Sequence, residues 1–338
     1  MGESQTITKS RMDFTPTTKV VKRGFFFFVD QAYEDPEANN SAEFHFGQWN
    51  GVDCREKDIV VVKEKWGAEK AGGYTVTSFG AKSNGVTDCT QAFLHAWAAA
   101  CGSVDSAIIY VPRGTYLLHP AVFEGDCRNS DIRLQIDGTL VAPADYRVLG
   151  KSNKWLSFEG VTGVSISGGT LDARGTSLWA CKAASDDCPV GAMSLSFTNS
   201  KNIRINGLRS VDSQVFHMWI NGCQNVHIQG VKIHAAGNSP NTDGIHVQLS
   251  RNVAIMDSTI KTGDDCISIG PGTNSLWIED ISCGPGHGIS IGSLAKEKHE
   301  EGVQYVTVKN VVFTGTTNGL RINRGPGPAT DLSKGSVS

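Results

Sequence analysis

Three acidic residues, a histidine and an arginine recur at similar intervals in the second half of this 338-residue sequence. Asp243 precedes the adjacent Asp264 and Asp265 by 21 and 22 residues, and His287 follows Asp265 by 22 residues. Arg321 lies 34 residues beyond His287. Paired carboxyl groups are the minimum machinery for hydrolysing a glycosidic bond, since one donates a proton and the other acts as base or nucleophile. The planar guanidinium of Arg321 suits a substrate that carries a carboxylate.

The same residues also have purely structural interpretations. Asp often caps turns in solenoids, and Asn-Thr-Asp-Gly at 241–244 is an ordinary turn sequence. Clustered carboxylates suit Ca²⁺ as well, and an isolated histidine such as His287 is more often a surface residue. Four sequence segments carry these polar residues at the spacing of one coil. Their recurrence favours one functional cluster over four unrelated structural roles. Crowding would push the proton affinities of three carboxyl groups apart, so that one stays protonated when the others do not.

A degenerate repeat runs through the region that carries these residues. Similar aliphatic segments, offset by 23 to 29 residues, occur at 202–205, 225–228, 252–255, 276–278 and 305–308. Each unit holds short alternating strands separated by Gly, Asn, Ser and Asp, with no second helix, which is typical of a solenoid. The LxxLxLxxN spacing of leucine-rich repeats is absent, and propeller blades need about 40 residues. The sequence therefore predicts an all-β fold, a right-handed single-stranded parallel β-helix, with a two-sheet antiparallel sandwich as the alternative.

Stacked coils would explain the intervals between the polar residues, because positions one repeat apart become neighbours. The segments DGIHV, DCISIG, HGISIG and GLRIN are therefore predicted to be adjacent strands with polar residues at or near their entrances. Neighbouring side chains of a regular strand point to opposite faces. We therefore expect Asp264 and Asp265 at the mouth of a coil, where Gly263 still turns the chain, and a buried strand that begins near Cys266.

One α-helix is predicted ahead of the repeats, where it would cap the open end of the solenoid. Asp88 is expected to cap this helix, with Gln91 in the capping-box position. The apolar face of the helix is formed by residues at helical spacing: Phe93, Ala96, Trp97 and Ala100. We divide the chain into an irregular extension (1–73, with strand character at 59–63), a β-helix (74–322) and a polar tail (323–338).

The composition argues against several functional classes. With 31 basic and 34 acidic residues the net charge is −3, so there is no basic field for nucleic acid. No apolar run approaches the roughly 18 residues that a membrane-spanning helix needs. Nine cysteines without a CxxC pair favour disulfides over zinc, and the odd number leaves at least one free or paired outside the chain. Cys181 and Cys188 are close enough for a local loop, and the N-terminus is not a convincing signal peptide.

The motifs NTDGIH, GDDCISIG, GHGISIGS and a final RI pair, in that order, resemble those of the polygalacturonases, glycosidases that hydrolyse pectin. The segment YTVTSFGAKSNGVTDCTQAFLHAWAAAC resembles the N-terminal segment of the plant members. The resemblance covers about residues 74 to 322 and implies a parallel β-helix that cleaves α-1,4-galacturonosyl bonds with inversion. Inversion requires carboxyl groups about 6.5–9.5 Å apart, to leave room for the attacking water.

The resemblance also implies a role for each motif residue. Asp264 would be the general acid, while Asp243 and Asp265 would activate the water. His287 would support this constellation near the acid, and Arg321 would bind a substrate carboxylate.

Further expectations follow from the same resemblance. A disulfide between Cys266 and Cys283 is implied, as are secretion to the cell wall and a pectic polysaccharide as the partner. We expect a monomer with no cofactor, no metal, and neither nucleic acid nor membrane as a partner.

The last motif departs from the family pattern. Asn323 replaces the lysine of Arg-Ile-Lys, so binding of a substrate carboxylate there is expected to weaken. Arg324 would point to the opposite side of a regular strand. The chain then ends in a Gly- and Pro-rich tail where family members usually continue for several coils. We therefore expect an open solenoid end, from either an inaccurate gene prediction or a degenerate paralogue.

The sequence thus predicts a polygalacturonase-like glycosidase whose activity is impaired by Asn323 and by the short C-terminus. Two alternatives stay open: a catalytically inactive β-helix that binds pectin or is inert, and a hydrolase of rhamnogalacturonan or xylogalacturonan. A pectate lyase, which uses calcium and elimination, fits the motifs less well.

Overall fold

The computed structural model describes residues 19–21, 25–29, 72–294 and 299–324, which form two long sheets. The first sheet has 15 strands: β1 (Lys19–Val21), β2 (Phe25–Val29), β3 (Gly72–Thr75), β4 (Asn84–Asp88), β5 (Ala107–Val111), β6 (Thr115–Leu117), β8 (Ile132–Val141), β10 (Val164–Asp172), β12 (Lys201–Asn206), β13 (Arg209–Val211), β15 (Gln224–Gln229), β16 (Lys232–His234), β18 (Arg251–Lys261), β20 (Asn274–Cys283) and β22 (Val303–Phe313). The second has eight: β7 (Ala121–Glu124), β9 (Lys154–Glu159), β11 (Met193–Thr198), β14 (Met218–Asn221), β17 (Ile245–Gln248), β19 (Asp265–Ile269), β21 (Gly288–Leu294) and β23 (Leu320–Arg324).

From β3 onward, strands of successive coils pair in parallel within each of the two sheets. This is the predicted right-handed parallel β-helix, and it excludes the antiparallel sandwich. The segments predicted to repeat are in register across the first sheet. Their inward aliphatic side chains form a continuous ladder of paired residues: Ile203, Val226, Val253, Leu276 and Val306. Each of them is at most 2% exposed, so the residues that recur in the sequence are those that fill the core of successive coils.

Asparagines hold one corner of successive coils. Asn202, Asn225 and Asn252 adopt left-handed backbone conformations with φ between 55° and 57°, a region that Asn tolerates better than most residues. The Asn225 side-chain amide donates to Asn202 Oδ1 (2.9 Å), and the Asn252 amide donates to Asn225 Oδ1 (3.2 Å). These bonds run along the axis and keep consecutive coils in register.

The predicted N-terminal helix is present as α1 (Thr90–Gly102), and its predicted apolar face is buried. The cap differs by one position from the prediction. Cys89 is the N-cap residue, and the Asp88 carboxylate accepts from the backbone N–H of Thr90 (2.9 Å). Trp97 joins this helix to the core, since its ring contacts those of Phe123 and Phe158, each with centroids 5.5 Å away.

Two further helices correct the expectation that the repeats carry none. α2 (Tyr146–Gly150) and α3 (Thr176–Ala184) lie in the connections that precede β9 and β11. A single turn of 3-10 helix at Val76–Phe79 follows β3. None of the described helices has the length and apolarity needed to cross a membrane.

Two strands lie within the range expected to be irregular. β1 and β2 pair antiparallel with β22, so their backbones occupy the outer edge of that strand. The open, exposed edge expected at this end of the first sheet is therefore paired. The strand character predicted at 59–63 falls outside the described residues.

Three disulfides join described cysteines in pairs and leave two others free: Cys101–Cys127, Cys181–Cys188 and Cys266–Cys283. The second is the local loop anticipated from sequence spacing, and the third is the pair implied by the family resemblance. Cys89 and Cys223 are free and buried.

Candidate active site

The acids and the histidine stand at the entrances of consecutive strands of the second sheet. Asp243 lies two residues before β17, Asp264 directly precedes β19, and Asp265 is the first residue of β19. His287 directly precedes β21. Because β17, β19 and β21 are adjacent and parallel, the fold brings residues some 20 positions apart in sequence into one cluster.

Backbone hydrogen bonds between coils hold these entrances together. The N–H groups of His217, Gly244 and His287 donate to the carbonyl oxygens of Asp243 (2.8 Å), Asp265 (2.9 Å) and Asp264 (2.8 Å) respectively. A close approach to the previous coil is built in at Gly263, where a Cβ would lie 2.1 Å from the Ser239 carbonyl oxygen. The chain therefore bends at residues 263–264 and enters the buried strand at Asp265, close to the predicted start.

Asp264 is the most accessible of the three acids. Its side chain is 21% exposed, and its Oδ1 lies 3.0 Å from Nδ1 of His287, whose side chain is 40% exposed. The same Oδ1 accepts the backbone N–H of Asp265 (2.8 Å). Two contacts therefore fix the orientation of the partly exposed Asp264 carboxyl group.

The side chain of Asp265 is more deeply buried than that of Asp264, at 8% against 21% exposed. The Ser290 hydroxyl donates to Asp265 Oδ1 (2.6 Å), and Nη2 of Arg321 lies 3.6 Å from the same oxygen. Arg321 also donates from Nε to the Ser290 hydroxyl oxygen (3.2 Å). Burial raises the pKa of Asp265, while the Ser290 hydroxyl and the Arg321 charge act in the opposite direction.

Asp243 is 6% exposed and has the most perturbed carboxyl group of the cluster. Burial, followed by the negative charge of Asp264, raises the pKa of Asp243 to about 7. A hydrogen bond from Ser268 partly offsets this rise, and the charge of Asp265 adds to it. Near neutral pH the Asp243 carboxyl group is therefore partly protonated.

Replacing Asp243 with Asn is expected to stabilise the fold, and increasingly so as the pH rises from about 4 to 7. The pKa of Asp243 is raised above its unfolded value of 3.8, so the stability it contributes is present at low pH and lost as the pH rises through about 7. Asn stays neutral and avoids this loss, an effect on the order of 4 kcal/mol at most. The measurement is the difference in Tm between variant and wild type across this pH range.

The exposed Asp105 provides a control for this comparison. Asp105→Asn should leave the pH dependence of Tm as in the wild type. A Tm difference for Asp243→Asn that is the same at pH 4 and pH 8 would contradict the raised pKa.

A metal site is one alternative for part of this cluster. One ligand atom each from Asp264, Asp265 and His287 lies within 4.8 Å of the others. Calcium prefers six to eight oxygen ligands, and this group offers two carboxylates and a nitrogen. We therefore assign no metal to it.

The structure adds residues to the site that the sequence analysis did not select. Ser290 donates to Asp265, His246 contacts Ser268, and Ser268 lowers the pKa of Asp243. Their signal in the sequence was weak, because Ser and His at alternate positions of a strand are also ordinary surface residues. Asn323 lies apart from this network, exposed on β23, where its amide donates to Ser293 Oγ (3.0 Å).

Comparison with known proteins places the chain in a family. Residues 101–335 match glycosyl hydrolases family 28. The chain is 58% identical over 262 residues to a polygalacturonase of Prunus persica, a match that covers 77% of this chain and 67% of the relative. It is 42% identical over 275 residues to an exopolygalacturonase of Platanus acerifolia, with 79% and 72% covered.

Solved structures agree with this placement. The endo-xylogalacturonan hydrolase of Aspergillus tubingensis superposes with a TM-score of 0.65 at 28% identity, over 76% of this chain and 69% of that chain. The polygalacturonase of Erwinia carotovora subsp. carotovora has the same fold, with a TM-score of 0.61 at 23% identity over 75% and 72% of the two chains. The chain therefore belongs to glycosyl hydrolases family 28, where it groups with the plant polygalacturonases, and it is a glycosidase.

Proposed function

We propose that this chain hydrolyses α-1,4-galacturonosyl bonds in a pectic polysaccharide by general acid and base catalysis. The observation that carries the proposal is the convergence of Asp243, Asp264, Asp265 and His287 at the entrances of three consecutive strands. A match to family 28 and relatives named polygalacturonase support the substrate class.

Asp264 is the general acid in this proposal, and Asp243 and Asp265 activate the water. Asp264 is more exposed than the other two acids, so its carboxyl group can reach the glycosidic oxygen of a bound polysaccharide. Asp243 and Asp265 are each 6% exposed and would hold the attacking water molecule. His287 contacts Asp264 and keeps the acid in its orientation.

This assignment requires the proton held by Asp243 to leave when substrate binds. The raised pKa of Asp243 favours a proton there near neutral pH, whereas a base must be ionised. We assign the proton to Asp264 in the substrate complex, where its carboxyl group meets the leaving oxygen. The inverting outcome rests on the family resemblance alone.

Arg321 is proposed to bind a carboxylate of the substrate. Its side chain is 37% exposed, and its Nη2 lies 3.6 Å from Asp265 Oδ1, across the intervening strand β21. A guanidinium has five N–H donors in a planar fork, and its contacts with Ser290 and Asp265 involve only Nε and Nη2. It can therefore position a galacturonate residue directly beside the water-activating acids.

Asn323→Lys is expected to strengthen substrate binding, lowering KM for polygalacturonate about two- to fivefold with little change in kcat. Asn323 is exposed on the same strand as Arg321, and an ammonium group there would add a charge that attracts the substrate carboxylate. Steady-state kinetics at low ionic strength would measure the change. Asn323→Gln, which adds no charge, serves as the control. An unchanged KM for the lysine variant would rule out Asn323 as the cause of weakened binding.

We also propose that the protein is secreted to the cell wall and acts as a monomer. Three disulfides support an oxidising compartment. Export of the protein from plant cells into the apoplastic fluid, and its mass in solution, would test these two points.

The test of the function is release of reducing ends from polygalacturonate by the purified chain. NMR of the freshly released anomer decides between inversion and retention, and an ultraviolet-absorbing product would indicate elimination by a lyase instead. If no reducing ends appear but the protein binds pectin, the non-catalytic alternative replaces the proposal.

A xylogalacturonan hydrolase is the second candidate. It is favoured by the match to the xylogalacturonan hydrolase of Aspergillus tubingensis at 28% identity. Comparing the rates of hydrolysis of polygalacturonate, xylogalacturonan and rhamnogalacturonan at equal concentration separates the candidates.

A further inference from the structure

The outward face of the second sheet carries a row of side chains that leads from the acids toward the N-terminal coils. Register pairs connect its members from coil to coil: Arg321, Ser290, Ser268, His246 and Trp219. Ser290 and Arg321 both contact Asp265, so the row lies on the same face as the acid cluster. Trp219 on β14 is two strands away from β19, which is about 10 Å at the usual spacing of neighbouring strands.

Trp219 is partly exposed, and its indole N–H is not used within the described part of the chain. The other four described tryptophans each donate from Nε1 to an oxygen atom of the protein: Trp97 to Glu124, Trp155 to Leu118, Trp179 to Ser213 and Trp277 to Glu279. An indole N–H can only donate and usually finds an acceptor when it leaves water. The N–H of Trp219 is therefore available to a ligand.

A second donor lies beside this ring. The Lys154 ammonium is placed over Trp219, with Nζ 5.5 Å from the ring centroid. It donates to Glu159 Oε1 (2.8 Å) and to Thr198 Oγ1 (3.3 Å). Because an ammonium group has three N–H donors, these two described acceptors leave one donor for a ligand. The Lys154 side chain is 25% exposed, so solvent and solutes reach it.

Buried hydroxyl groups hold the ammonium in place through its partner, Glu159. The Ser196 hydroxyl donates to Ser157 Oγ (3.1 Å), and the Ser157 hydroxyl donates to Glu159 Oε1 (2.7 Å). Both serines are completely buried. The hydrogen bonds from Lys154 and Ser157 lower the pKa of Glu159, so its carboxylate stays ionised and keeps the ammonium fixed. A donor fixed in advance loses less conformational entropy when it binds a ligand.

The same residue types occur together on the first sheet, but there the indole N–H is used. Lys309 Nζ lies 6.0 Å from the ring centroid of Trp277 and 2.8 Å from Glu279 Oε1. Trp277 donates its N–H to Glu279 Oε2 (2.9 Å). A lysine, a glutamate and a tryptophan on a sheet can thus satisfy one another. At Trp219 they do not, which distinguishes this group from an ordinary structural cluster.

An apolar ring face with two unused donors suits a sugar acid. A pyranose presents C–H groups on a face and oxygen atoms at its edge, and galacturonate adds a carboxylate. The indole face can cover the C–H groups, while the indole N–H and the ammonium group can donate to the oxygen atoms.

We propose that Trp219 and Lys154 form a subsite that binds a galacturonate residue of the polysaccharide, two coils away from the acids. This inference rests on the proposed function and extends it along the sheet. A polysaccharide that passes the acids toward the N-terminal coils crosses His246 and then Trp219. Binding at this distance from the reacting bond is the same in the ground state and the transition state, so it lowers KM without changing kcat.

The test measures binding of octagalacturonate by titration calorimetry, with Asp264→Asn as the background so that turnover does not consume the ligand. Trp219→Leu should raise Kd about tenfold, because the ring is lost. Trp219→Phe should raise it about threefold, because only the N–H is lost. Lys154→Met combined with Glu159→Gln, which leaves no unpaired charge, should raise Kd about fivefold for octagalacturonate and not for its methyl ester. Trp277→Phe is the matched control and should leave Kd unchanged.

Kinetics of the chain with Asp264 intact provide a second measurement. Trp219→Leu should raise KM for polygalacturonate and leave kcat as in the wild type. Unchanged Kd in both Trp219→Leu and the lysine double variant would overturn the subsite. If Trp219→Leu does not fold, Trp219→Phe takes its place in that comparison. A chain that releases no reducing ends but shows these differences in Kd would remove the proposed hydrolysis and keep the subsite. Reducing-end release with KM and Kd unchanged in the variants would do the reverse.

Discussion

Asp264→Asn is expected to lower the rate of reducing-end release from polygalacturonate by about a hundred- to ten-thousand-fold, with the fold intact. The amide cannot donate a proton to the leaving oxygen, and a positioned general acid contributes rate factors of this size. The amide keeps the shape of the side chain. It can also still accept the backbone N–H of Asp265 and the contact from His287, so binding of the substrate should persist. The assay compares kcat of variant and wild type over the same pH range.

Asp280→Asn is the matched control for this substitution. Asp280 is exposed on β20 in the other sheet and has a φ of 56°, a conformation that Asn tolerates well. We expect its kcat to equal that of the wild type. Equal activity of wild type and Asp264→Asn, or no activity in either, would defeat the assignment of Asp264 as the working acid.

Phe158→Ala is expected to destabilise the fold by about 3–5 kcal/mol, which is typical of a large aromatic removed from a core. Phe158 is 1% exposed and is the central ring of a ladder. Its ring stacks on Phe123 with centroids 4.7 Å apart and on Phe197 at 4.8 Å, and it contacts the ring of Trp97. The substitution would therefore open a cavity where the capping helix α1 meets the first coils. The shift in the midpoint of urea unfolding measures the loss.

Phe158→Leu is the control, since it keeps most of the volume and should cost less than about 1.5 kcal/mol. In a solenoid each coil contacts only its neighbours. We therefore expect Trp97 fluorescence to report the loss of the N-terminal coils before far-UV circular dichroism reports the whole β-helix. A urea midpoint unchanged from the wild type in Phe158→Ala would show that the stacked phenylalanine rings do not stabilise the capping helix.

Much of the fold could be predicted because each coil of the β-helix corresponds to one repeat unit in the sequence. Aliphatic residues such as Val226 and Val253 must lie inside every coil, so their spacing in the chain is the spacing of the coils. Asparagines at the corners recur for a similar reason, since each needs the same left-handed backbone conformation. The elements that the sequence did not predict, α2, α3, β1 and β2, lie outside this periodic pattern.

The β-helix, the capping helix and the grouping of the three acids with His287 could be predicted from the sequence, because stacking converts a constant interval into spatial contact. The differences between the acids could not, since they depend on how several coils pack. Burial and the charge of Asp264 raise the pKa of Asp243, while Asp264 stays more exposed. The hydrogen bond from Ser290 to Asp265 likewise depends on strand register, because a one-residue slip would turn the serine to the other face of the sheet.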